Sequence, residues 1–278
     1  MNRLPLVWKL ALALLVPALG LVWLAQSDIR HALAFREENS RLLELAEFAV
    51  VSSAMVHELQ KERGMSAGFL GSDGESFGPQ IRDHYAITDG RIAELRQLLE
   101  TFDSDRFGAE FSAKLAAGVQ DLQRILEVRE RVQALEIPLG DALGYYTGIN
   151  GKFLGLIEFL PRLSSVGEFG IRGSAYVAFL QSKERASIER AVLSNTFAND
   201  QFGPGLYDKF RTLVTTQSVY LDVFRSAATP VQRLAFDRLM DNDAVRETER
   251  MRSIALARSA TGGFETSSLS ISRSKARR

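Results

Sequence analysis

The chain has 278 residues, 46% of them apolar, which is enough to build a sizeable core and to set disorder aside. Basic and acidic residues both number 34, yet Arg273, Lys275, Arg277 and Arg278 crowd the last six positions, so the body carries 30 against 34 and nucleic acid is not expected as a partner. The absence of cysteine excludes disulfides, thiolate metal sites and c-type haem attachment, and three scattered histidines (His31, His57, His84) make no metal box, so no cofactor is expected.

Residues 4–25 are apolar apart from Lys9. A helix of that length, rising about 1.5 Å per residue, would cross a hydrocarbon layer about 30 Å thick. Arg3 and Lys9 precede the main apolar run, which by the positive-inside rule leaves the first residues in the cytoplasm and everything after Gln26 outside a bacterial inner membrane. Trp23-Leu24-Ala25 is a poor processing site, because Trp23 occupies a position that wants a small residue, so residues 1–27 are expected to form an uncleaved anchor, kinked at Pro17.

The remainder, residues 28–260, reads as long helices broken at glycine and proline with no alternating strand pattern, an all-α fold. The expected helices run from about Asp28 to Leu70, Pro79 to Leu99, Phe107 to Leu135, Pro138 to Pro161, Ile171 to Ala198, Pro204 to Ala227 and Pro230 to Ala260. Two junctions resemble each other. In the first, Lys61-Glu62-Arg63 is followed by Phe69 and then Phe77-Gly78-Pro79; in the second, Lys183-Glu184-Arg185 is followed by Glu189-Arg190, Phe197 and Phe202-Gly203-Pro204. This ordered series predicts two related helical bundles.

The arginines in these junctions lie where apolar residues are expected. Leu45, Ala49, Ser52, Val56, Leu59, Arg63, Ser66 and Leu70 follow steps of four and three, as do Tyr176, Phe179, Lys183, Ala186, Arg190, Leu193 and Phe197. Each repeat therefore aims an arginine inward, where a guanidinium must meet negative charge. One solution is a structural ion pair with Glu58, Glu62, Glu184 or Glu189; the other is an exogenous planar oxyanion shared by two guanidinium forks. No paired-carboxylate, Ser/His/Asp or phosphate-loop pattern has the context for catalysis, so an enzyme is not expected.

LQKERGMSAGFL (Leu59–Leu70) followed by KERASIERAVLSNTFA (Lys183–Ala198) resembles the NIT family, the nitrate- and nitrite-sensing domain, over roughly residues 35–258. The resemblance implies two bundles sharing long helices and an anion held by Arg63 and Arg190, with Arg185 and Ser66 as auxiliary candidates. Ser187 stands where the family often has glycine. Many relatives of this build are membrane chemoreceptors, so the expected function is extracytoplasmic sensing of nitrate or nitrite by a homodimeric, membrane-anchored receptor. The alternative is a tethered structural or partner-binding bundle whose arginines pair internally. Residues 261–278 read as a polar Ser/Arg tail without a second span or output module, which favours a truncated or frame-shifted receptor over a dedicated binding protein or an excised fragment.

Overall fold

A computed structural model describes residues 6–162, 167–259 and 262–264; among them the chain is helical, with no strand. It divides into two compact units, residues 1–44 and 45–278. The first unit is the opening part of helix α1 (Leu6–Gly71), where Trp23, Leu24, Ile29, Leu33 and Phe35 are exposed and Arg41 pairs with Glu37 at 3.6 Å. The expected span over residues 4–25 is corrected here. Among the described residues no helix is long and apolar enough to cross a membrane; residues 4 and 5 of that run lie outside the described residues.

In the second unit α1 continues to Gly71 and stops where Asp73 and Gly74 turn left-handed, at φ 50° and 86°, with the Gly74 N–H capping the Phe69 carbonyl at 2.9 Å. Helix α2 (Gly78–Leu99) starts on Pro79, and α3 (Ala109–Gln123), α4 (Ile125–Gln133) and α5 (Leu139–Ile157) follow. Their apolar faces enclose one core, in which Leu45, Phe48, Leu59, Ile81, Phe111 and Phe153 are among the buried side chains. The second bundle is α6 (Gly167–Ala198), α7 (Leu206–Ala227), α8 (Pro230–Met240) and α9 (Asp243–Ala257), with cores around Leu193, Phe197 and Phe210 and around Ala178, Phe224 and Phe236. Helix α6 serves both bundles, since Leu180 belongs to the first core.

Two expected helices are broken. The third divides at Arg124 into α3 and α4. The seventh divides at Asp241-Asn242 because the Asn242 side chain accepts the Val245 N–H at 3.1 Å and caps a new helix, a local bond that outcompetes continuation. Three residues at the start of the polar tail, 262–264, are described. Phe264 is buried against Phe197 and Phe202, and the Asp200 carboxylate accepts the backbone N–H groups of Gly263 (3.1 Å) and Phe264 (2.8 Å). Residues 265–278 of that tail lie outside the described residues.

The two Phe-Gly-Pro junctions are built differently in detail. Phe77 itself takes a left-handed φ of 67°, whereas in the second junction Asp200 and Gly205 do so, at 51° and 72°. In the first, the Phe77 ring lies so close to α1 that a Cβ on Gly68 would meet it at 2.4 Å. Gly68→Ala is therefore expected to lower stability by about 1–3 kcal/mol through forced repacking, read as a drop in melting temperature. An unchanged melting temperature would contradict this close approach.

Candidate functional site

The glutamate before each inward arginine is held by an arginine from its own bundle. In the first bundle Arg129 on α4 forks onto Glu62 on α1, Nε to Oε1 and Nη2 to Oε2, both at 2.9 Å, while its Nη1 donates to Asp89 on α2 at 2.6 Å. The Tyr146 hydroxyl donates to the same Glu62 at 2.7 Å, and the Arg129 guanidinium lies over the Tyr85 ring. In the second bundle Arg252 on α9 forks onto Glu189 on α6 at 2.7 and 2.8 Å, with Gln217 on α7 accepting from Arg252 at 2.9 Å. Glu62-Arg63 and Glu189-Arg190 stand 127 positions apart in the chain, so the repeat reproduces a buried glutamate clamp as well as a motif.

With Glu62 and Glu189 engaged, the next residue in each dipeptide turns to the contact between α1 and α6. Arg63 is 1% exposed. Its Nη1 donates to Thr147 on α5 (2.8 Å) and to Glu184 Oε1 (2.7 Å), and its Nη2 donates to Glu184 Oε2 (3.3 Å) and to Ser187 (2.9 Å). Gln60 completes Glu184 by donating to Oε2 at 2.6 Å. Nε of Arg63 is left buried without a partner.

Arg190 differs from every other arginine in this core. It is partly buried, and among the described residues it has no hydrogen bond or ion pair. Its guanidinium approaches α1 so closely that a Cβ on Gly64 would sit 3.2 Å from its Nη2. Glycine after Arg63 is thus what admits the second guanidinium. Desolvation first, and the Arg63 charge second, push the Arg190 pKa down, the signature of two cations held together with too little negative charge.

The surroundings add to this excess. The Lys183 amine, mostly removed from water and facing Lys61 and Arg190 as well as Glu184 and Glu58, is held down to about 8. His57 is held down to about 4, by burial first and then by Lys183, Lys61 and Arg190 against Glu58. Arg63, Arg190, Lys61 and Lys183 face only Glu184 and Glu58 among these groups, since His57 is neutral near pH 7. Such a cluster has the charge and the donors to attract a small anion.

The structure brings Arg63 and Arg190 together but places Arg185 elsewhere, bonded to Gln181 and lying over the Tyr220 ring of α7. Ser66 is fully buried, and its hydroxyl has no hydrogen-bond partner among the described residues. Thr147, Glu184, Lys183 and Gln60 were not singled out as site residues from the sequence, nor were the clamps of Arg129 and Arg252. Arg129 did carry a signal: it follows Ile125 by four and precedes Val132 by three, the same apolar spacing that marks Arg63.

Two outcomes follow from this geometry. Arg129→Met leaves the Glu62 carboxylate buried without its cation and is expected to cost about 3–5 kcal/mol, measured by denaturant unfolding; a loss under about 1 kcal/mol would mean the clamp is not built as described. His57 has a folded pKa near 4 against 6.5 in the unfolded chain, so the unfolded state binds the extra proton between these values. Its contribution to stability is full above pH 6.5 and declines as pH falls toward 4. In His57→Gln that part of the pH profile should flatten.

Comparison with known proteins adds family to geometry. The NIT family model, described as nitrate and nitrite sensing, matches residues 54–275. A nitrate regulatory protein of Klebsiella oxytoca is 29% identical over 230 residues, which cover 82% of this chain and 57% of that protein, so the chain spans little more than half of its curated relative's length. The solved structure of the NasR transcription antiterminator aligns with a TM-score of 0.78 at 27% identity, covering 88% of this chain and 67% of the other.

These likenesses overturn the receptor reading. The similar proteins are a nitrate regulatory protein and a transcription antiterminator, so the assignment as a membrane chemoreceptor in chemotaxis, with an inner-membrane location, a sensor outside the cytoplasm and a membrane contact through residues 4–25, is withdrawn. The exclusion of nucleic acid, which rested on charge balance alone, falls with the same finding.

Proposed function

The chain belongs to the NIT family of nitrate- and nitrite-sensing domains, and from this we propose that it senses nitrate or nitrite by seating the anion between Arg190 and Arg63, in the service of a transcriptional regulator. The observation that carries the reading is the Arg190 guanidinium, partly buried beside Arg63 and without a hydrogen bond or ion pair among the described residues. A planar trigonal oxyanion suits it, because two guanidinium forks can bond its oxygens in one plane and their mutual repulsion is relieved by the guest. The names of the similar proteins, a nitrate regulatory protein and a transcription antiterminator, support regulation of transcription as the output. No residue of the cluster is asked to break a bond, so the protein acts by binding and not as an enzyme.

A rival reading, a structural bundle with internally paired arginines, draws on the Arg63–Glu184 pair. Arg190 separates the two. Calorimetry of the full chain should give saturable heat with nitrate or nitrite and little with chloride or sulfate, and Arg190→Ala should abolish it while the melting temperature holds or rises, because an unpaired cation has been removed. Saturable nitrate binding that survives Arg190→Ala, or no binding by the native chain, would contradict the assignment.

A further inference from the structure

The donors of Arg63 are already spent. A guanidinium offers five N–H groups: two of Nη1 go to Thr147 and Glu184, two of Nη2 go to Glu184 and Ser187, and Nε alone is unpaired. An anion therefore cannot meet the fork of Arg63 while Glu184 holds it. Arg190, beside it, has its donors unspent among the described residues.

Taking up the anion-sensing reading given above, we propose that Glu184 is the internal competitor of the oxyanion: its carboxylate occupies on Arg63 the place the anion takes, and binding exchanges the Arg63–Glu184 pair for an Arg63–anion–Arg190 bridge. Carboxylate, nitrate and nitrite share a planar two-oxygen face and a negative charge, so one fork accepts any of them. The exchange has somewhere to send the displaced group. The attraction of Glu184 is the strongest favourable charge acting on the Lys183 amine, its neighbour on α6.

The exchange also supplies a signal. Ser53 on α1 meets Tyr176 on α6 at 2.8 Å, and the Arg63–Glu184 and Gln60–Glu184 bonds join the same two helices farther along. Releasing Glu184 loosens those two cross-links at the crossing of α1 and α6, while the anion ties Arg190 of α6 to Arg63 of α1. One set of cross-links replaces another, on a helix that serves both bundles. A ligand shifts such an equilibrium only by its differential affinity for the two arrangements, so Glu184 sets both the affinity and the size of the switch.

Nitrate titrations of the full chain by calorimetry test this. Glu184→Gln keeps the shape and removes the competing charge, and is expected to bind nitrate about tenfold more tightly than the native chain, within the range of typical site-to-site coupling. Gln60→Ala removes a tie that holds Glu184 in place from outside the cationic pair and should tighten nitrate binding in the same direction by a smaller factor. If Glu184→Gln does not fold, Gln60→Ala decides. Tighter nitrate binding by the variants than by the native chain supports the exchange; native binding with unchanged or weaker affinity in both variants would overturn it. No binding by the native chain would overturn the anion-sensing reading itself, and the exchange with it.

Discussion

The structure turns on two neighbouring guanidiniums at the contact of α1 and α6, of which only Arg63 is paired with a carboxylate. Cations in a helical interior are tolerated only where negative charge or hydrogen-bond acceptors meet them, and here the supply is short by one. The clamps around Glu62 and Glu189 create that shortage. Each takes the nearest carboxylate out of reach, by an Arg129 fork in the first bundle and an Arg252 fork in the second, leaving Glu184 alone with Arg63 and nothing for Arg190.

Backbone placement serves the same end. Gly64 leaves room for Arg190, because a Cβ there would press on its Nη2 at 3.2 Å, and the Ser187 hydroxyl that follows the second Lys-Glu-Arg stretch takes a hydrogen bond from Arg63. Thr147 reaches Arg63 from α5, so the first bundle grips one side of the guanidinium while α6 supplies the other. A rearrangement at Arg63 is therefore felt at once by three helices. The protein needs no large motion at the site to change how α1 and α6 are joined, only an exchange of hydrogen-bond partners.

Much of this was legible in the sequence, for identifiable reasons. Seam spacing marks Arg63, the Phe-Gly-Pro pair marks the start of α2 and lies just before α7, and the ordered motifs mark two halves. The seam on α6 was less faithful. Ala186 is exposed and Lys183 only partly buried, whereas Glu184 and Glu189 are buried, because a helix shared by two bundles buries more than one face and a single periodic stripe does not describe it. The pairing of Arg63 with Glu184, across 121 residues, could not be read from spacing: several glutamates lay near the arginines, and only the fold decides which one arrives. The break at Asn242 was present as a capping residue but was masked by apolar residues continuing on both sides.

The membrane anchor failed for another reason. Length and apolarity alone select residues 4–25, whereas among the described residues no helix is long and apolar enough to cross a membrane. The similar proteins are named for nitrate regulation and transcription antitermination. The family match of this chain and the name of the Klebsiella relative both point to nitrate, and Arg190 is the arginine of this core without a partner among the described residues.

The most direct test is a crystal structure of the chain grown with nitrate. Density for a planar anion within hydrogen-bond distance of both the Arg190 and Arg63 guanidiniums, with Glu184 turned away, is the expected result. An Arg190 side chain closed by a protein carboxylate, with nitrate bound elsewhere or nowhere, would contradict the central claim.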